Sequence, residues 1–351
     1  MAARLRASLI AMMGAAALSG CATLEYYVQS IGGHVHLMSL RVPVERVIGD
    51  EETPEPLRRR LALAVAVREF ASRELDLPDN GSYRSYVDLA RPYVSWTVVA
   101  APALSLQPKT WCFPVVGCVA YRGYFDESAA ARYARELEKQ GYDVHVAGVQ
   151  AYSTLGWFDD PLLSTMLAQP DYRIAGVIFH ELAHQRLYVA DDSAFNEAYA
   201  VVMEREGVER WLADVGNPRL LESYRVDADR RDHFLTLVQQ TREALETLYA
   251  GPLSDAEKRK EKTRIFDNMR TEYAALRARW GGYPGYDAWF ASGPNNAKLA
   301  LVATYDAYVP ALQRLLASTG GDLEAFNAAC AALAGLGKKA RAAELERLAN
   351  L

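Results

Sequence analysis

The sequence predicts an α+β protein, mostly helical, and three observations carry that expectation. Apolar residues recur at helical spacing over most of the chain, as in "PEPLRRRLALAVAVREFASREL". Strand-like composition, rich in Val and Tyr and bounded by Gly and Pro, is concentrated in Val94–Gly156. A third stretch, from Pro218 to Trp280, is long, charged and helical, interrupted by the stop signal Gly251-Pro252. With 351 residues and 50% hydrophobic content, the chain is long enough to bury one sizeable core.

Taken in order, the first residues read as a targeting signal. Arg4 and Arg6 precede a short apolar run, Leu9–Leu18, and then small residues. That run is too short to span a bilayer and has the layout of a secretory signal. Its ending, "LSGC", resembles a bacterial lipobox, so residues 1–20 are expected to be removed and Cys21 to carry lipid. Such a lipid tethers the domain without spanning the membrane. Ala22 follows the cysteine, and in the enteric sorting pattern a residue other than Asp there directs the protein to the outer membrane. The expected location is therefore the bacterial cell envelope, facing the periplasm, at the outer membrane in preference to the inner.

Export sets how the other cysteines are read. Cys112 and Cys118 in "WCFPVVGC" lie in an oxidising compartment, where a disulfide is expected, and no second cysteine pair completes a metal site. Cys330, within "AFNAACAALAGL", reads as a small buried residue.

From Glu25 to Leu104 the pattern is mainly helical, with a helix start at Pro56. "CFPVVGCVAYRGYF" and "YDVHVAGVQAYSTLG" read as strands, separated by the helix "DESAAARYARELEKQ" and its terminal Gly141. Val94–Gly156 is expected to supply a small mixed sheet. Residues 218–280 form a helical hairpin whose second helix opens on a capping box, Ser254 with Glu257. The expected organisation is a signal over 1–20, then helices, sheet and metal-binding helices over 21–217. The hairpin follows over 218–280, and C-terminal helices over 281–351 complete the catalytic domain. A net charge of −5, with no cluster of Lys and Arg among aromatics, argues against a nucleic-acid partner.

The chemistry is concentrated in "GVIFHELAHQRLYVADDSAFNEAYAVV". Ile174, Val177, Ile178 and Leu182 make one apolar helical stripe, and His180 and His184, four apart, leave a common face. Two imidazoles one turn apart suit a tetrahedral Zn²⁺, and Glu181, one position on, is placed to act as general base on a metal-bound water. A second helix follows, capped by Asp192 or Ser193. It carries Glu197 in an apolar stretch, where a carboxylate is costly unless paired or bound to metal. Glu197 is therefore the expected third ligand, with Asp191 and Asp192 as competitors closer in sequence. Two His and one Glu leave a fourth zinc position for water.

"VIFHELAHQ" followed by "FNEAYA" resembles the gluzincin metallopeptidases, which use a glutamate in an Asn-Glu-Ala setting as third ligand. Together with "QAYSTLGWFDDPLLSTM" and "NNAKLA…YDAYVP", these segments resemble a bacterial family of predicted zinc aminopeptidases with lipoprotein signals. The resemblance implies a zincin-like catalytic core built around an active-site helix pair, and a peptide substrate. The chain departs from it twice: His184 to Glu197 is a shorter interval than in thermolysin-like enzymes, and the Gly-x-Met-Glu-Asn segment that holds a free α-amine is absent. Asp159 in "WFDDP" is a candidate for that amine, while Asp160 before Pro161 reads as a helix N-cap. "AYSTLGW" is a candidate edge strand for substrate backbone. For the oxyanion, Tyr305, in the segment matching the family's C-terminal motif, comes first and His233 second.

The expected function is thus a lipid-anchored zinc metallopeptidase, an aminopeptidase in kind. The alternative from another class is an envelope scaffold or binding lipoprotein whose zinc site is structural or vestigial.

Overall fold

The computed structural model describes residues 25–113 and 117–350, so the signal segment and Cys21 lie outside the described residues. Helix α1 (residues 25–39) leads through strand β1 (Val42–Pro43) and helix α2 (Val44–Gly49) to α3 (Glu55–Glu74). Pro56 lies in the first turn of α3, where a missing N–H leaves no bond unmade. Strands β2 (Ser85–Val87), β3 (Ser95–Pro102), β4 (Trp111–Phe113), β5 (Gly117–Val119) and β6 (Arg122–Tyr124) follow. Helix α4 (Glu127–Lys139) is capped by the Asp126 carboxylate, which accepts from the Ala129 amide. Gly141, at φ +86°, then turns the chain into β7 (Tyr142–Val149).

Strand β8 (Leu162–Leu163) and helix α5 (Ser164–Leu167) precede the helix pair α6 (Asp171–Arg186) and α7 (Ser193–Val215). Helices α8 (Pro218–Ala250) and α9 (Asp255–Arg279) make the hairpin, and the Ser254–Glu257 capping box opens α9. Helices α10 (Asp287–Ala291), α11 (Asn296–Asp306), α12 (Val309–Ser318), α13 (Leu323–Ala334) and α14 (Lys338–Ala349) follow.

The architecture is mostly helical with small sheets, three of them among the described residues. Strands β6, β3 and β7 pair antiparallel throughout. Strands β4 and β5 pair with Cys112 opposite Cys118, and a disulfide joins the two. A mixed sheet within Val94–Gly156 is not what forms. The pairing there is antiparallel only, and the one mixed sheet is β1–β2–β8, where β2 runs parallel to β8. The connection explains this: α4 carries the chain from β6 past β3 to its far side, so the two strands that run the same way never touch.

The main core lies between α3, α6, α7 and the C-terminal helices. Ile174, Ile178, Phe179 and Leu182 of α6 are wholly buried, each contributing about 1.5–3 kcal/mol relative to an exposed position. Gly207 on α7 permits the close approach, since a Cβ there would lie 2.7 Å from Leu75 and from the Phe179 ring. The hairpin has a core of its own, with Phe234, Leu237, Phe266, Met269 and Tyr273 packed against Phe290 of α10.

The "NNAKLA" segment ties these parts together. Asn295 caps α11, and the buried Asn296 amide donates to the carbonyls of Pro102, Ala103 and Ser105 while its oxygen accepts from Tyr249 of α8. Lys262 of α9 meets Asp143 of β7 at 2.6 Å. Sheet, hairpin and α11 are thereby held in one arrangement, and α11 carries Tyr305.

Candidate metal centre

His180 and His184 leave α6 one turn apart, and their Nε2 atoms lie 3.2 Å from one another. A six-residue connection, residues 187–192, then reverses the chain into α7. Asn196 braces this connection with two 2.8 Å hydrogen bonds to the Val189 backbone. The helices run antiparallel: His184 and His180 face Glu197, while Gly176, one turn earlier, faces Glu204, two turns later. Glu197 Oε2 stands 3.3 Å from His180 Nε2 and 3.6 Å from His184 Nε2.

Neither loop aspartate reaches this group. Asp191 accepts from the Cys118 amide, and Asp192 caps α7 and pairs with the buried Arg341 at 2.7 Å. Capping does explain Asp192, as the sequence suggested.

The three residues offer ligand atoms all within 4.8 Å of one another and could hold a metal ion. With bonds of about 2.0–2.1 Å in tetrahedral array, neighbouring ligand atoms stand roughly 3.3–3.4 Å apart. The observed 3.2, 3.3 and 3.6 Å bracket that edge. Glu197 Oε2, which faces both imidazoles, is buried and makes no hydrogen bond, an arrangement that is costly without a cation.

Without metal, protons take the cation's place. Burial opposes charge on His180, but the close contacts and charges of Glu197 and Glu204 outweigh it and hold the imidazolium well above its ordinary range. Burial raises the Glu197 carboxyl, and the charge of His184 with the approach of His180 outweighs burial and brings it to about 2.

Glu204 is a member of the site that the sequence reading passed over. Its Oε2 lies 3.1 Å from His180 Nδ1, on the side of the ring away from Glu197. A carboxylate in that place fixes the tautomer and raises the basicity of a ligating histidine. A signal existed: Glu204 follows Glu197 by seven residues, which is two turns on one helix face. Gly176 makes room for it, since a Cβ there would sit 3.2 Å from the Glu204 side chain.

Glu181 stands beside the ligand group without belonging to it. Burial raises its carboxyl, opposed by the charges of His180 and His184 and by the nearby Ser153 hydroxyl. Above it lie Tyr83 and Asp160, both buried. Tyr83 adopts φ +63°, an outlier for a bulky residue that persists only where surroundings over-determine it. Here they do. The buried Arg68 grips the carbonyls of Pro78, Asn80 and Ser82, the Tyr83 amide donates to the Asp160 carbonyl, and Asn80 bonds Gln185 of α6 at 2.7 Å. Burial first, and the Glu181 charge second, raise the Tyr83 hydroxyl well above its ordinary pKa, at a position no local sequence signal marks.

Two expectations for the segment before α6 are corrected. Asp160 caps no helix, because Pro161 leads into β8. Its carboxylate instead captures the Thr154 amide at 2.9 Å and hydroxyl at 2.8 Å, and burial, with Glu181 nearby, raises its pKa to about 6. "AYSTLGW" is likewise not a strand: β7 ends at Val149, Thr154 is bound by Asp160, and Leu155 and Gly156 turn at φ +56° and +81°. That geometry cannot extend a ladder.

Asp159 lies exposed on the outer side of this loop, against Gly81. Tyr305 keeps 40% of its surface in solvent, and the Glu197 charge, then burial, raises its pKa well above the ordinary value. Tyr121, in the β5–β6 loop, feels burial first and the Glu197 charge second, and the sequence reading did not single it out. His233 is exposed on the hairpin beside Trp280.

Fold and site define a mostly helical α+β protein with a two-histidine, one-glutamate group able to hold a metal ion. The chain belongs to the family described as "Putative aminopeptidase", whose model matches residues 25–345. The comparison with curated proteins finds no match, and the comparison with solved structures finds none either.

Proposed function

We propose that the chain is a lipid-anchored zinc metallopeptidase, an aminopeptidase within its family, acting at the periplasmic face of the bacterial envelope. The observation that carries this reading is the convergence of His180, His184 and Glu197 at tetrahedral-edge distances, with a second carboxylate, Glu181, beside them and outside the ligand set. Two neutral imidazoles and one carboxylate suit zinc and leave a position for water. Zinc held there would lower the pKa of that water and polarise the scissile carbonyl.

The chain's own residues supply the proton chemistry. Glu181, its carboxyl raised by burial, takes a proton as the water oxygen bonds to the carbonyl carbon. It returns that proton to the amine as the C–N bond breaks. Tyr305 stays protonated beside Glu197 and donates to the carbonyl oxygen as charge develops there. Of the two loop carboxylates, Asp159 is the one free to meet a substrate α-amine, because both oxygens of Asp160 are engaged by Thr154. The lipobox-like "LSGC" supports attachment through Cys21.

The test is Glu181→Gln in purified protein, assayed on aminoacyl and internally quenched peptides with metal analysis alongside. One zinc per chain with hydrolysis abolished is the expected outcome. Full activity in that variant refutes the mechanism, and one zinc in wild type with no turnover of any peptide supports the scaffold alternative.

A further inference from the structure

Helix α1 leaves a stripe of apolar side chains in solvent. The side turned toward the protein buries Leu37 and is otherwise aromatic and polar: Tyr26 lies under the Arg122 guanidinium, the Gln29 side chain accepts from the Phe125 amide, Gly33 rests on the Phe125 ring, and Tyr152 bonds His34. The side turned to solvent carries large apolar side chains, with His36 and Ser39 exposed toward its C-terminal end. Val28, Ile31 and Val35, at helical spacing, are 59–63% exposed, and Leu40, in the turn just after the helix, is 42% exposed. From Tyr26 to Leu40 there is no Asp, Glu, Lys or Arg.

A second element joins this face. The loop that carries Trp157, 71% exposed, and Phe158, 53% exposed, packs Phe158 on His34 with ring centroids 4.7 Å apart. His34 lies one turn after Ile31 along the helix. The two elements meet at His34 and together present exposed apolar side chains, tryptophan among them, of the kind that mark an interaction surface.

We infer that this patch docks on a lipid bilayer. Three features favour lipid over protein as the occupant. Glu25 lies four residue steps after Cys21, so the leash to α1 reaches at most about 14 Å. A tether that short holds α1 at the membrane surface. The patch is uncharged and offers no partner for the complementary charges that select a protein, whereas tryptophan beside aliphatic side chains suits the boundary between headgroups and acyl chains. The docked loop is also the one clamped by Asp160 beside Glu181, and Gly156 within it touches Gln185, the residue after His184. The catalytic helix is thereby set close to the lipid surface, where a substrate tethered to or emerging from the membrane would be met.

The inference rests on the proposed attachment through Cys21, and one experiment separates the two. The full chain is incorporated into phosphatidylethanolamine/phosphatidylglycerol vesicles whose acyl chains are brominated. Flotation reports attachment, and the Trp157 emission component, taken as wild type minus Trp157→Phe, reports docking. Docking predicts that bromolipid removes about half or more of that component. The variant Val28→Ser/Ile31→Ser/Val35→Ser, altered only at exposed positions and checked by circular dichroism, should float equally and recover most of the emission. Flotation without Trp157 quenching overturns docking and leaves the tether standing, whereas neither flotation nor quenching overturns both. Trp157 shielded from aqueous iodide yet unquenched by bromolipid means a protein, a second copy included, covers the patch, and that also refutes the inference.

Discussion

Replacing Glu204 by Gln probes the site through a residue that touches only the back of one histidine. The wild-type contact, 3.1 Å between Glu204 Oε2 and His180 Nδ1, joins two partly buried groups, and a charge-assisted hydrogen bond of this kind is worth about 1.5–3 kcal/mol. At about 1.4 kcal/mol per decade this corresponds to roughly 10–100-fold in metal affinity. Glutamine keeps an acceptor and loses the charge, so the lower part of that range is expected, with Glu204→Ala nearer the upper. An opposing effect has a definite sign. Glu204 also holds the proton on metal-free His180, and metal must displace that proton. The variant therefore binds metal more weakly at alkaline pH, where His180 is already neutral, and the difference narrows as pH falls. Competition titration against a chromophoric zinc chelator over a pH series measures both the loss and its slope. Affinity unchanged at alkaline pH in a normally folded variant would refute the role given to Glu204.

Two further outcomes follow from the same electrostatics. Tyr305→Phe should retain metal and lose roughly 10²–10³-fold in kcat, the scale of one oxyanion donor, while Tyr121→Phe costs much less; the reverse order would reassign the donor. In chelator-treated protein, the raised pKa of His180 contributes stability that is complete below about pH 6.5 and lost as pH rises through the folded value. Glu197, depressed to about 2, contributes stability that is complete above about pH 4.5 and lost as pH falls through its folded value. Melting temperatures of the metal-free chain should therefore peak between those limits and decline on the alkaline side; a flat profile above pH 6.5 would mean the His180 network is not as described.

The legible part of this protein is the part governed by short-range chain geometry. Two histidines four residues apart share a helix face whatever surrounds them, the Ser254–Glu257 box starts a helix, and Gly141 ends one. Glu197 could be singled out because a carboxylate in an apolar helical stretch needs a partner. Packing decided the rest. The antiparallel setting of α6 and α7 brings Glu204 behind His180, and Arg68 with Asp160 holds Tyr83 in a backbone conformation it would not adopt alone. Asp160 shows the limit of a local rule, since its carboxylate captures an amide as an N-cap does, but the amide belongs to a loop. On α1 the sequence determined a helix with apolar residues at regular spacing. Which side faces the protein was settled by the fit of Tyr26, Gln29 and Gly33 against β6 and Phe125, because burial depends on what a face meets and not on its composition alone.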